Sequence, residues 1–170
     1  KPLTPDELNV PKTAWRVDPA IAGGGLFHDL APHQLDLMYY LFGDFKSANG
    51  VSLNQSKLYH TDDIVSGNIL FENGIIFSGL WCFNVSEQDE KDSCEIIGYA
   101  GSIRFNIFGE HKILITKNNE TETILFPPIE HVQQPMIEKV VEYFLGEAPN
   151  PCSAKDGSKV MQMLDAFTKK

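Results

Sequence analysis

Three consecutive glycines, Gly23-Gly24-Gly25, stand directly ahead of four ionisable side chains within nine residues: His28, Asp29, His33 and Asp36. A glycine run lets the main chain adopt positive φ and lets another group approach closely. Histidine titrates near neutrality and carboxylates orient or charge it, so this pairing suits proton transfer. From Asp29 to Phe42 the pattern predicts a helix stopped by Gly43, a residue suited to the position just past a helix end. At about 100° per residue, Asp29, His33, Asp36 and Tyr40 share a stripe roughly 60° wide. Leu30, Leu35, Leu37, Met38, Leu41 and Phe42 fill much of the remaining circumference. Pro32 fits the first turn, where its missing N–H is harmless. Two structural roles compete with chemistry: Asp29 as the N-cap, and His33 as a hydrogen-bonded surface histidine. His28 leaves the polar stripe and is expected to face a substrate or cofactor.

The elements that must position this cluster follow from pattern. Residues 1–22, rich in Pro, Asp and Asn, are expected to be an irregular lead-in with at most a short edge strand. Within it, Trp15 reads as a packing anchor, and Arg16 as a partner for an acid on the helix or as a substrate contact. Strands are expected over Lys46–Gln55, Asp63–Phe71, Ile75–Asn84, Ser93–Ala100, Ser102–Phe108, His111–Lys117 and Thr121–Phe126. The turns between them, Asn73-Gly74 above all, are tight and imply antiparallel pairing. Pro127-Pro128 closes the β region. A helix over His131–Leu145 is amphipathic through Met136, Val140, Val141 and Phe144. A last one covers about Ser153–Thr168 with Val160, Met161, Leu164 and Phe167 inward. The expected class is α+β: one domain over residues 1–170, an open, mostly antiparallel sheet of about six to eight strands, and helices on one face.

Composition removes several functions. A formal charge of −9 opposes a nucleic-acid footprint and attraction to anionic lipid. The apolar runs are too short to span a bilayer. Cys82, Cys94 and Cys152 lack metal-ligand spacing and are expected to be small buried hydrophobes in a reducing cytoplasm, with export of a parent protein left open. His60 beside Asp62-Asp63 reads as part of a solvated turn, with lining a pocket at a strand entrance as the alternative, and His111 and His131 sit by turns without evident partners.

The stretch from Trp15 to Asp36 resembles the family of glucose–fructose oxidoreductase, inositol dehydrogenase and MocA. It meets every fixed position of that family's Gly-Gly-Gly-x-x-x-Asp-x-x-x-His-x-x-Asp pattern, at Gly23-Gly24-Gly25, Asp29, His33 and Asp36. The resemblance implies a nucleotide-binding Rossmann domain followed by an α+β domain, with this chain corresponding to the second. It implies hydride transfer between NAD or NADP and a sugar, polyol or related secondary alcohol. His33 and Asp29 would be the catalytic pair, with Asp36 orienting. Gly24, Gly25, His28, Arg16 and Trp15 would face substrate or cofactor. It also implies assembly of like subunits through the sheet. There is no Gly-x-Gly-x-x-Gly in the chain, so the cofactor would be bound mainly by an N-terminal domain absent here. The family's catalytic lysine lies in a Glu-Lys-Pro triplet. Lys1-Pro2 stands only fourteen residues before Trp15, too near for the elements that should intervene, so the lysine is expected upstream.

Two other functions remain open at this point. One is a metal-dependent enzyme using the His/Asp cluster, although His28 and His33, five apart on a helix, are about 140° out of phase; no metal is expected. The other is a non-catalytic carbohydrate-binding or oligomerisation module.

Overall fold

The computed structural model describes residues 4–10 and 14–169; Lys1 lies outside them. The chain forms two compact units, one of residues 1–90 with 152–170 and one of residues 91–151.

The first unit opens with α1 (Pro5–Leu8), a 3₁₀ turn (Trp15–Val17) and α2 (Pro19–Ala22). No strand occurs among the described residues of this lead-in, because Asp18 caps α2 by accepting from the Ala20 amide at 2.9 Å and draws the chain into a turn instead. Helix α3 runs over Gly25–Phe42 and ends at Gly43, whose φ of 78° suits glycine. It starts four residues earlier than the pattern suggested. Pro32 is therefore inside the helix, where it lacks the N–H that would bond the His28 carbonyl.

Strands β1 (Phe45–Leu53), β2 (Ile64–Phe71) and β3 (Ile76–Cys82) form an antiparallel sheet in the order β1-β2-β3. Asn73-Gly74 makes the β2–β3 hairpin as expected, with Gly74 at φ 87°. Helix α5 (Ala154–Thr168) begins with a capping box in which Ser153 and Asp156 satisfy each other's amides. Both α3 and α5 lie on one face of the sheet, and Phe27, Leu35, Met38, Val65, Ile69, Phe71, Trp81, Leu164 and Phe167 form the core between them. Three glycines stand in register across the strands, Gly50↔Gly67↔Gly79. A Cβ on Gly67 would lie 2.4 Å from the Phe167 ring, so this gap in side chains lets α5 press onto the sheet. The inward face of α5 uses Val160, Met163, Leu164 and Phe167; Met161, expected inward, is exposed.

The second unit contains β4 (Cys94–Gly98), β5 (Gly101–Phe105), β6 (Lys112–Lys117) and β7 (Glu120–Leu125), an antiparallel sheet in sequence order, and α4 (Gln134–Phe144). Asn118 and Asn119 both have positive φ, 52° and 64°, which makes the β6–β7 connection a type I′ turn. The described residues thus hold seven strands in two sheets, within an α+β class as expected. The amphipathic face of α4 is uncovered: Met136, Val141 and Phe144 are exposed, Phe144 by 80%. The cysteines also differ from expectation. Cys82 and Cys94 are half-buried and Cys152 is exposed, since each lies at an element's edge or in a loop and not on a core-facing position.

Candidate active site

The polar stripe of α3 is present as the spacing required. Asp29, His33, Asp36 and Tyr40 are all exposed, opposite Phe27, Ala31, Leu35 and Met38, which are buried. Asp29 is the fifth residue of α3 and does not cap it; the N-cap is Gly24, which has no side-chain oxygen to offer. The Asp29 carboxylate instead accepts from Arg16 Nε at 3.0 Å, with the two side chains 52% and 37% exposed. Arg16 in turn lies 4.8 Å over the Trp15 ring, a cation–π arrangement. Trp15 and Arg16 thus steady the carboxylate from the lead-in, while His33 stands one turn further along α3, about 6 Å of rise away. A base and a fixed carboxylate side by side on an exposed face can share a proton with an oxygen brought to them from outside.

The glycine turn serves this arrangement. Gly23 and Gly25 have φ of 72° and 71°, positions that favour glycine. Gly25 is buried, and a Cβ there would stand 2.2 Å from Thr61 Oγ1, so the start of α3 sits hard against the loop ahead of β2. His28 is half-buried, edge-on to Phe27, with Nδ1 3.1 Å from the Gly24 carbonyl oxygen. Further along, Gln34 accepts from Trp81 Nε1, which ties α3 to β3.

A cavity of about 440 Å³ opens at this end of α3, walled by Gly24, His28, His60, Thr61, Asp62 and Thr168. Neither Asp29 nor His33 lines it. His60, itself exposed, and Asp62 thus line a pocket at the strand entrance, the alternative the sequence left open, and Asp63 is fully buried at 0% exposure. Asp63 Oδ1 accepts from the Gln55 amide and Oδ2 from the Ser56 amide, both at 2.7 Å. Burial alone would push the Asp63 carboxyl up, but these hydrogen bonds outweigh it and hold the pKa below the usual value. Burial, with the Asp63 charge and Cys82 adding, pushes the neighbouring Tyr59 phenol up to about 12. Tyr59 and Thr61 both bury a hydroxyl without a hydrogen-bond partner. The Asp-Asp pair at a strand entrance was the sequence signal for this loop; burial of the second carboxylate is set by folding and could not be read from it.

Among the described residues, no group of three or more His, Cys, Asp or Glu side chains is placed to hold a metal ion, and no helix is long and apolar enough to cross a membrane.

An α+β domain whose glycine turn launches a helix bearing an exposed Asp-x-x-x-His-x-x-Asp stripe fits the C-terminal domain of the oxidoreductase family that the motif resembles. The model of the GFO/IDH/MocA C-terminal domain matches residues 3–104, and the chain belongs to that family. It is 46% identical over 153 residues to Oxidoreductase P35 of Formosa agariphila, covering 90% of this chain and 46% of that protein. It is 29% identical over 116 residues to levoglucosan dehydrogenase of Pseudarthrobacter phenanthrenivorans, covering 55% of this chain and 30% of that protein. The chain thus spans less than half the length of these curated relatives. Among solved structures, aldose-aldose oxidoreductase from Caulobacter crescentus in complex with glycerol superposes with a TM-score of 0.74 at 19% identity, over 89% of this chain and 47% of that one. Levoglucosan dehydrogenase in complex with NADH and levoglucosan gives 0.73 at 24% identity, over 90% and 50%. These likenesses are of fold.

Proposed function

We propose that this chain is the substrate and oligomerisation half of an NAD(P)-dependent oxidoreductase that acts on a sugar, polyol or related secondary alcohol in the cytoplasm. The observation that carries the reading is the exposed Asp29–His33 stripe, steadied by Arg16 behind a glycine turn of positive φ, in a chain of this family. His33 takes the hydroxyl proton during oxidation and returns it during reduction, the work of a positioned general acid and base. Asp29, held by Arg16, orients the imidazole or a substrate hydroxyl, and Asp36 supports His33 from the next turn. Gly24, Gly25, His28 and Trp15 shape the surface against which substrate and cofactor rest. The nicotinamide, bound by the N-terminal half of the parent protein, supplies the hydride acceptor. A lysine from that half lowers the pKa of the substrate oxygen.

The chain lacks a glycine turn of the dinucleotide type, so it should not bind NADH by itself. Two measurements test the reading. Fluorescence titration of this chain with NADH should show no saturable binding. The intact parent enzyme should reduce NAD+ or NADP+ with one or more sugars or polyols. Micromolar NADH affinity in the chain, or no turnover across a broad polyol panel by the parent, would overturn it.

A further inference from the structure

We propose that the cavity walled by His28, His60, Thr61 and Asp62 is a hydroxyl-binding subsite for a neutral carbohydrate, and that buried Asp63 is its positioning residue. The inference rests on the function proposed above and concerns a part of the substrate away from the oxidised carbon.

The volume, about 440 Å³, lies within the range of small-molecule sites. Its polar groups match hydroxyls in both directions. His28 Nδ1 lies 3.1 Å from the Gly24 carbonyl oxygen, which can only accept, so Nδ1 donates there and Nε2 is left for a ligand. The Asp62 carboxylate is fixed by Ser52 Oγ, which donates to Oδ2 at 2.7 Å. The uncapped first turn of α3 offers main-chain donors. Thr61 is 5% exposed, and its hydroxyl is sealed against the start of α3 beside Gly25, so it shapes the wall without itself reaching a ligand. A helix start alone would favour an anion, but the Asp62 carboxylate in the same wall opposes one. A sugar hydroxyl uses donor and acceptor together.

Asp63 sets the shape of this wall. Its two oxygens bond the Gln55 and Ser56 amides, its own amide donates to the Leu53 carbonyl at 3.0 Å, and its carbonyl accepts from the Phe83 amide at 2.7 Å. Asn54 Nδ2 then donates to the Tyr59 carbonyl at 2.6 Å and its Oδ1 accepts from the Lys57 amide at 2.9 Å. The loop carrying His60, Thr61 and Asp62 is thereby closed on itself next to Gly25. Asp63→Asn turns a side-chain amide NH2 toward one of the two main-chain N–H donors, which breaks one bond and loosens the loop.

The test is an amide-shift titration of this chain by NMR with D-glucose and myo-inositol, with tetrahydropyran and sodium phosphate as contrasting probes. The expected result is saturable shifts at Gly23, Gly24, His28, Thr61 and Asp62 with the two polyols alone. His60→Ala, at an exposed position, and Asp62→Asn should each weaken binding by roughly 3- to 10-fold, the worth of one hydrogen bond. Asp63→Asn should weaken it as much and also speed hydrogen exchange over residues 55–62, while His60→Ala leaves that exchange unchanged. No saturable shift up to about 100 mM, well above a millimolar Kd, would overturn the subsite. So would a preference for phosphate, or shifts confined to Arg16, Asp29 and His33. Failure here differs from failure of the proposed function: a parent enzyme that oxidises sugars with unchanged KM in all three variants loses the subsite and keeps the activity. Glucose bound in the cavity of a chain whose parent oxidises nothing does the reverse.

Discussion

Asp29 lies within α3 and bonds Arg16, so Asn at this position probes chemistry without disturbing a helix cap. The half-exposed ion pair contributes at most about 1 kcal/mol, and Asp29→Asn should shift thermal unfolding little. In the intact enzyme it should lower turnover with the fold retained. His33→Ala should lower turnover by roughly two to four orders of magnitude, the usual contribution of a positioned acid/base. Steady-state kinetics beside circular dichroism check both; near-parental turnover in the two variants would leave the stripe structural. Asp63 gives a pH prediction. Its folded pKa is depressed, so its stabilisation is fully present above the unfolded carboxyl value, near 4, and fades as pH falls through the lower folded value. Asp63→Asn should destabilise by about 1–3 kcal/mol at neutral pH by leaving a buried donor unpaired, and the deficit should shrink on acidification. Urea unfolding from pH 6 down to pH 3 measures this; a pH-independent deficit would contradict it. The sequence disclosed the Asp29–His33 stripe because helical spacing alone places it. It did not disclose the Arg16–Asp29 bond as more than one option, nor the buried role of Asp63, since each depends on a loop packed from elsewhere in the chain.

Two glycines in helices separate conformation from composition. Gly25 opens α3 at φ 71° with its missing Cβ only 2.2 Å from Thr61 Oγ1. Gly25→Ala should therefore destabilise by about 1–3 kcal/mol, from left-handed backbone strain and the clash together. Gly157 lies in α5 with nothing within 4 Å of a Cβ, and Gly157→Ala should stabilise by about 0.5–1 kcal/mol. Chemical denaturation of the pair decides it: equal effects would mean the start of α3 is not held by Thr61. The same comparison explains what was legible among the elements. Hairpins at Asn73-Gly74 and Asn118-Asn119 and the stop at Gly43 were readable because local chemistry fixes them. The start of α3 was not, because three glycines disfavour helix locally and packing on the β2 entrance overrides them. The inward face of α5 was partly readable. Relative to Val160, Leu164 and Phe167 fall at about +40° and −20°, Met163 at −60° and Met161 at +100°, so spacing itself favoured Met163.

At the scale of the molecule, the three-stranded sheet leaves one face without helices. Its register aligns Val51↔Ser66↔Leu80 and Ser47↔Leu70↔Ile76, and the pleat puts these side chains on the face opposite Val65, Ile69 and Phe71. Val51, Leu53, Leu70, Ile76 and Leu80 are all exposed there, Leu80 by 68%. Polar residues stand among them, Ser47, Ser66 and the row Asn49↔Asn68↔Ser78, and Ser78 donates to Asn68 at 2.6 Å within the face. Exposed apolar side chains on both sides of this polar row are the kind of surface that favours interaction, and strand pairing was legible enough in the sequence for the open face to be expected. A second copy of this chain is its proposed partner, because an identical flat apolar face is self-complementary about a two-fold axis. Light scattering should give a mass above that of one chain at high concentration. Leu80→Lys should reduce it to the monomer by placing a charge where apolar surface would be buried. Leu125→Lys changes an equally exposed leucine on β7 in the other unit and should leave the assembly intact. A strictly monomeric parent chain would overturn this assignment, and dissociation by Leu125→Lys alone would move the interface to the four-stranded sheet.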